Sequence, residues 1–328
     1  MKCVPDADER GLRQDLERLK KYLVHPRYDE HELLKNASEI ILQQHLNTKQ
    51  KACCSEALES PTLANWEKLQ TDHSDGAAPA LTWLTGQKLG HKVSHISRQL
   101  LESVSSRQNS GENQRLIVLH SFDHGSDRPH RASGDEMRTP ITILKEAIFL
   151  LLQQVPQLIR SNEILQTFLD KEPTLLARAG GEQNLEARKD FTFLKLAHLL
   201  HALFRDLGNQ CLCAQQQTVD PKNVWSVYWI IDRLDTCQFR SKQFRTLPRL
   251  SEFAAVLEKL NASYCSPNKD RHHKLEKKGF VNMYLVVTSR FEPANSDDCW
   301  LERADENNGY EMEINQGGMP QMWHEILA

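Results

Sequence analysis

The 328-residue sequence lacks any long apolar run, and this absence argues against a membrane-spanning helix. Its longest such run, AIFLLL, has six residues, whereas a spanning helix needs about 20 predominantly apolar residues. The N-terminal stretch MKCVPDADERGLRQDLERLKKYL is highly charged and has no apolar core of the kind found in secretory signals. We therefore expect a cytoplasmic protein without a membrane partner.

The sequence also lacks a strong net charge and a cysteine spacing typical of zinc sites. Lysine and arginine number 41 against 44 acidic residues, a formal net charge of −3, so there is no general attraction for nucleic acid. Eight cysteines are present, but no two of them are separated by two residues, which argues against structural zinc. We interpret them as reduced thiols.

The composition and the N-terminal pattern predict a globular chain with a helical N-terminal region. Hydrophobic residues make up 39% of the chain and charged residues 26%, which suits a protein with a sizeable core. Apolar residues recur every three or four positions in 9–23 and 30–46, the pattern of amphipathic helices. We place this region at 1–60, an α/β region at 61–295, and a polar tail with room for one further strand at 296–328.

Four short apolar segments alternate with helical patterns in the middle of the chain. The strand-like segments are ALTWLTG, RLIVLHSF, VWSVYWIID and VNMYLVVTSR. The helical patterns are KVSHISRQLLESV, one long helix in TPITILKEAIFLLLQQVPQLI, a helix near 161–170, FTFLKLAHLLHALFRDLG ending at Gly208, and LSEFAAVLEKL. Apolar strands separated by helices predict an α/β fold with a parallel sheet covered on both faces.

The segment between the first strand and its helix partly matches a phosphate-binding loop, G-x-x-x-x-G-K-[ST]. Gly86 stands at the first glycine and Lys92 at the lysine, while His91 replaces the second glycine and Val93 replaces the Ser/Thr that binds Mg²⁺. A lysine just before a helix N-terminus suits an anion. The alternative interpretation is a strand–turn–helix connection with a solvated lysine.

Two further strands end in polar residues that suit the same edge of the sheet. The run VYWII places Asp232 at the carboxyl end of a buried strand, where open α/β sheets bind ligands, and such an aspartate can hold Mg²⁺ through water. Asp235 follows three residues later. The last strand ends in Thr288, Ser289 and Arg290, and an arginine fork suits a γ-phosphate. Alternatively, Asp232 caps a turn and Asp235 is solvated.

Taken together, these passages resemble the NACHT-type STAND NTPases of filamentous fungi. SPTLANWEKL resembles the linker before their NTPase core, LTWLTGQKLGHKV their P-loop, VYWIIDRLDTC their Walker B strand, and YLVVTSR their sensor strand. The likeness covers residues 60–295 and includes the helical stretch MRTPITILKEAIFLLLQQVPQLI. It implies a P-loop NTPase-like fold that binds ATP or ADP with Mg²⁺.

The resemblance also implies roles for the polar residues of these motifs. Lys92 would contact the β- and γ-phosphates, and Arg290 would sense the γ-phosphate beside a catalytic edge lined by Asp235. Asp232 would organise Mg²⁺. The loop residues implied to bind the nucleotide are Gly86, Gly90, His91, Lys92 and Val93.

Departures from the family pattern imply weak or lost hydrolysis. His91 and Val93 alter the P-loop, and Thr236 stands where the family has the acidic residue that polarises the attacking water. Because phosphoryl transfer depends on positioning and charge stabilisation, we expect a degenerate signalling module that regulates or assembles with related receptors. The resemblance further implies a truncated member, since the family's winged-helix region and repeats do not follow the sensor strand.

Two other functions remain open on the sequence. A nucleotide-free scaffold would bind protein partners, or associate with itself, through its α/β surface. A working Mg²⁺-dependent ATPase would lose hydrolysis when Asp232 is changed to asparagine.

Two stretches rich in basic residues or histidine are interpreted as surface features. The run KDRHHKLEKK is read as a solvated loop rather than a nucleic-acid patch, because acidic residues interrupt it. The histidines of HSFDHGSDRPHR, namely His120, His124 and His130, are read as surface imidazoles.

Overall fold

A computed structural model describes residues 6–23, 82–85, 94–109, 115–122, 138–178, 192–213, 225–239, 247–264 and 281–289. The strands are β1 (Thr82–Thr85), β2 (Leu116–Ser121), β3 (Trp225–Ile231) and β4 (Val281–Ser289). The helices are α1 (Asp6–Leu23), α2 (Ser94–Asn109), α3 (Pro140–Gln154), α4 (Leu158–Ser161), α5 (Glu163–Arg178), α6 (Phe193–Cys213) and α7 (Leu250–Tyr264).

The four described strands form one parallel sheet in the order β1-β4-β3-β2. Leu84 pairs with Thr288, Ile231 with Val287, and Ser121 with Ile231, so the carboxyl ends of the strands are nearly level. Parallel neighbours require crossover connections, and helices flank the sheet. The predicted mixed α/β fold with a helix-flanked parallel sheet is therefore confirmed.

Helices cover both faces of this sheet. The face that carries Leu119, Trp229 and Leu285 belongs to the main hydrophobic core, which also includes residues of α1 and of α3 to α7. On the opposite face, α2 lies against β2 and β3, and the Arg107 guanidinium is 5.5 Å from the Tyr228 ring centre. Strands buried on both faces read as continuous apolar runs, which is why their segments were visible in the sequence.

The predicted long helix after Thr139 is in fact two helices. Thr139 caps α3 by accepting a hydrogen bond from the backbone of Thr142, whose hydroxyl accepts one from the Thr139 backbone, and Pro140 occupies the first turn. The helix then ends at Gln154, two residues before Pro156. Proline disfavours helical geometry in the preceding residue, and Val155 is outside the helical region, with φ −133° and ψ 70°. The prediction of one continuous helix was wrong.

Helix α6 does not stop at Gly208 as predicted but continues to Cys213. A glycine inside a helix costs only about 1 kcal/mol, and three neighbouring apolar side chains, Leu203, Phe204 and Leu207, are fully buried in the core. The cost of one glycine is therefore too small to end the helix by itself. Neither α6 nor any other described helix is long and apolar enough to cross a membrane.

The N-terminal helix α1 packs into the same core as the sheet. Leu12, Leu19 and Leu23 are buried there, α1 contacts α3, α4 and α5, and the Arg18 guanidinium donates to the carbonyl of Leu169 at 2.6 Å. The predicted helix at 9–23 is confirmed. The predicted helix at 30–46, the domain boundaries near 60 and 295, and the C-terminal tail lie outside the described residues.

The outer side of β2, the last strand in the described order, is bonded by a side chain of α3. The Gln154 amide accepts from the Val118 backbone N–H at 3.0 Å and donates to the Val118 carbonyl at 2.8 Å. This single side chain satisfies the N–H and the carbonyl of Val118, which a neighbouring strand would otherwise bond.

The packing of α1 predicts that shortening Leu19 destabilises the whole domain. Leu19→Ala removes a fully buried side chain and should lower the free energy of unfolding by about 2–5 kcal/mol. Glu17→Ala, an exposed change on the same helix, should stay within about 0.5 kcal/mol of the wild type. Urea unfolding followed by circular dichroism measures both. A Leu19→Ala loss as small as that of Glu17→Ala would show that α1 does not belong to the core.

Candidate functional site

Polar side chains from four elements meet at the carboxyl edge of the sheet. Asp232 directly follows β3, and its backbone N–H donates to the Ser121 carbonyl at the end of β2, at 2.8 Å. Thr288 lies near the end of β4, and Ser94 is the first residue of α2. In parallel α/β sheets this edge is where ligands bind.

Both carboxylate oxygens of Asp232 accept hydrogen bonds from hydroxyl groups. Ser94 Oγ donates to Oδ2 at 2.6 Å, and Ser97 Oγ donates to Oδ1 at 2.7 Å. Thr288 Oγ1 donates to Oδ1 at 3.0 Å and lies 2.9 Å from Ser97 Oγ. We call Ser94, Ser97 and Thr288 the hydroxyl cluster. Through it, one carboxylate of β3 is bonded to both α2 and β4.

The Asp232 side chain is fully buried, with 0% of its surface exposed. Burial raises the pKa of Asp232 above its ordinary value, while the hydrogen bonds from Ser94 and Ser97 and the positive charges of Arg138 and Arg233 oppose the rise. A carboxylate that accepts several hydrogen bonds is stabilised in its charged form. The protein therefore supplies the partners of this carboxylate itself.

The chain turns sharply directly after Asp232. Arg233 has φ 44° and ψ 59°, the left-handed conformation, which costs a residue other than glycine roughly 1–2 kcal/mol. Its backbone N–H donates to Thr288 Oγ1 at 3.0 Å, and its carbonyl accepts from the Thr236 N–H at 3.0 Å. These bonds stabilise the turn in spite of its intrinsic cost.

The Arg138 guanidinium holds the ends of β2 and β3 together. Its Nη1 donates to the carbonyl of Asp232 and, at 3.0 Å, to that of Arg233. Its Nη2 donates to the carbonyl and the hydroxyl of Ser121, at 2.8 and 3.1 Å. Because Arg138 directly precedes the cap of α3, this one cation links α3, β2 and the turn after β3.

Glu146 extends the same network from α3. It accepts a short hydrogen bond from the Ser121 hydroxyl. Burial raises the pKa of Glu146, and the Ser121 hydrogen bond and the charge of Arg138 oppose that rise. Ser121 is thus bonded to Glu146 on one side and to Arg138 on the other.

Asp235 and Thr236 lie in a short 3₁₀ turn, Leu234–Thr236. Asp235 is buried, with 4% of its surface exposed. The Thr236 hydroxyl donates to the Arg233 carbonyl at 2.8 Å, so it closes the turn. Thr236 provides neither a carboxylate nor a free hydroxyl for activating water.

Of the residues predicted for the site, the structure describes Asp232, Asp235, Thr288 and Ser289, and it brings Thr288 to the Asp232 carboxylate as predicted. Asp232 occupies the predicted place at the end of β3. The other predicted positions lie outside the described residues, as does the basic run at 269–278; they are Gly86, Gly90, His91, Lys92, Val93 and Arg290.

Several site residues were missed by sequence reasoning. Ser94 and Ser97 are three residues apart and so share one face of α2, but this spacing has meaning only once the start of the helix is known. Arg138 and Glu146 carried no motif. Their partners lie at the end of β2 and in the turn after β3, and Arg138 is 94 residues from Asp232.

His120 was also misread as a surface imidazole. It lies in β2, its ring centre is 5.7 Å from that of Phe122, and burial lowers its pKa from 6.5 to about 4. The imidazole is therefore neutral at physiological pH. His124 and His130 lie outside the described residues.

The oxygen atoms around Asp232 are of the type that Mg²⁺ prefers, but their arrangement does not fit a bound ion. The three hydroxyl groups are directed at the carboxylate itself, and the side chain is completely buried. Mg²⁺ usually keeps several water ligands, and a fully buried carboxylate that already accepts three hydrogen bonds has little room for them. Among the described residues, no group of three or more His, Cys, Asp or Glu side chains could hold a metal.

Comparison with known proteins identifies no relative of this chain. No family model, no curated protein and no solved structure matches it significantly.

The neutral His120 predicts a loss of stability in mild acid. In the unfolded chain His120 binds a proton near pH 6.5, and in the folded chain only near pH 4. Its contribution to the free energy of unfolding is therefore complete above pH 6.5 and decreases as the pH falls toward 4. The loss from this group should be on the order of 2–3 kcal/mol. His120→Gln should remove that component of the slope.

Urea unfolding between pH 7 and pH 4 checks this expectation. His198→Gln, a change at an exposed histidine of α6, serves as the control and should keep the wild-type slope. If His120→Gln and His198→Gln gave the same pH dependence, the neutral state of the half-buried His120 would be contradicted.

Proposed function

We propose that the chain is a nucleotide-binding signalling module of the NACHT/STAND type, with weak or lost ATP hydrolysis, that regulates or assembles with related receptors. The observation that carries the proposal is the bond from Ser94, the first residue of α2, to Asp232, at 2.6 Å. It brings the helix that follows the phosphate-loop-like segment into contact with the aspartate of the Walker B-like strand.

The strand order supports this proposal. From β1 the chain crosses to β2 at the far end of the described order, and then returns through β3 to β4, which pairs with β1. Strand connections that reverse direction create a crevice at the carboxyl edge, where α/β proteins bind ligands. The segment 86–93, with Lys92, joins β1 to the N-terminus of α2, and a helix N-terminus favours phosphate.

The turn after β3 supports weak or lost hydrolysis. Phosphoryl transfer needs a group that positions the attacking water. Thr236 stands at the position of the family's acidic residue, and its hydroxyl is bonded to the Arg233 carbonyl. Asp232 is likewise bonded to hydroxyl groups on both oxygens. We therefore propose binding without efficient turnover.

A second candidate function is a nucleotide-free scaffold that acts through protein partners or self-association. One observation favours it: the hydroxyl cluster satisfies Asp232 without any ligand. A site that is complete by itself needs no nucleotide for stability. The two candidates differ in whether nucleotide stabilises the folded protein.

Nucleotide binding predicts a thermal shift that depends on Lys92. A ligand that binds only the folded state stabilises it by RT ln(1 + [L]/Kd), about 2.7 kcal/mol at a hundredfold excess over Kd. ADP and ATP should each raise the melting temperature of the wild type, and Lys92→Ala should abolish the rise. Differential scanning fluorimetry measures the shift.

Lys171→Ala is the charge-matched control, because Lys171 is an exposed lysine of α5. It should keep the full nucleotide shift. Absence of any shift with the wild type at millimolar nucleotide would contradict the proposed function and favour the scaffold. An equal loss in Lys92→Ala and Lys171→Ala would show that the effect is one of general charge.

A further inference from the structure

The surroundings of Asp232 differ from what a magnesium-dependent site requires. The P-loop position that normally carries the metal-binding hydroxyl is Val93, which has none. The nearest hydroxyl along the chain, Ser94, donates to Asp232 Oδ2. A serine can make this bond and still turn a lone pair toward a cation, so Ser94 alone does not decide the matter.

Ser97 and Thr288 determine whether a metal-bound water can reach the Asp232 carboxylate. Their oxygen atoms lie 2.7 and 3.0 Å from Oδ1, in the positions where a metal-bound water would otherwise bond to the carboxylate. A carboxylate offers about four acceptor sites on two oxygens, and three hydroxyl oxygens surround this one. Thr288 Oγ1 is held further by the Arg233 N–H, so it is fixed on the carboxylate rather than free to leave.

The charge of Asp232 is also offset without a metal. The guanidinium groups of Arg138 and Arg233 both stabilise its charged form. Arg138 is anchored by carbonyl groups of β2 and of the turn after β3, so its charge has a fixed place beside the backbone of Asp232.

We infer that nucleotide binding by this chain is independent of Mg²⁺, because the hydroxyl cluster occupies the Asp232 carboxylate oxygens that would otherwise hold the ion. The inference rests on the proposed nucleotide-binding function and specifies its ligand as the metal-free nucleotide. It makes the aspartate a positioning residue that holds the first turn of α2 at the end of β3.

Isothermal titration calorimetry of the full chain tests the inference. ADP and a non-hydrolysable ATP analogue are each titrated once with excess EDTA and once with excess MgCl₂. The dissociation constants should agree within about threefold between the two conditions. Binding that is about tenfold or more tighter with Mg²⁺ would overturn the inference but leave the proposed function intact.

Absence of binding under both conditions would overturn the proposed function and this inference with it.

Ser97→Ala tests the role assigned to the hydroxyl cluster. It vacates one position on Oδ1, so Mg²⁺ should tighten nucleotide binding in this variant by more than it does in the wild type. An unchanged ratio of the two dissociation constants in Ser97→Ala would contradict the view that the hydroxyls exclude the ion.

Discussion

The hydrogen-bonding requirement of one buried carboxylate governs the carboxyl edge of this sheet. An unpartnered charge in a protein interior is strongly destabilising, and Asp232 has no exposed surface. Three hydroxyls satisfy it, and they come from the first turn of α2 and from the end of β4. Elements far apart in the sequence are therefore fixed relative to each other by a single side chain.

The neighbouring features follow from the same requirement. Thr288 can serve both Asp232 and the Arg233 backbone because β4 lies beside β3 in the sheet. The left-handed turn at Arg233 presents two carbonyls to Arg138, which also bonds Ser121 and so includes β2. The Thr236 hydroxyl completes the turn. The groups that make this edge rigid are thus the same groups that a hydrolytic site would need free.

The sequence predicts the strands and the position of Asp232 well, because strands covered on both faces must be continuously apolar and must end where polar residues begin. It also locates the start of α3, since Thr139 and Pro140 form a local capping signal. The break at Pro156 had a local signal too, and a long apolar pattern obscured it. Gly208 misled because a glycine disfavours a helix only weakly, and α6 continues through it to Cys213.

The partners of Asp232 were not predictable in the same way. Ser94 and Ser97 face the carboxylate only because α2 begins at Ser94 and lies against β2 and β3. Arg138 bonds the backbone carbonyl of Asp232, 94 residues away in the sequence. Such contacts depend on strand order, which no local pattern specifies. The phosphate-loop residues that the sequence singled out lie outside the described part of the chain, so their roles stay predictions.

A double-mutant cycle between Ser97→Ala and Thr288→Val tests most directly whether α2 and β4 share the Asp232 carboxylate. The free energy of unfolding of the wild type, both single variants and the double variant is measured by urea titration. Their mutual contact at 2.9 Å and their common carboxylate oxygen predict an interaction energy of about 0.5–3 kcal/mol. Strict additivity of the two single changes would contradict this network and, with it, the connection of α2 and β4 at the end of β3.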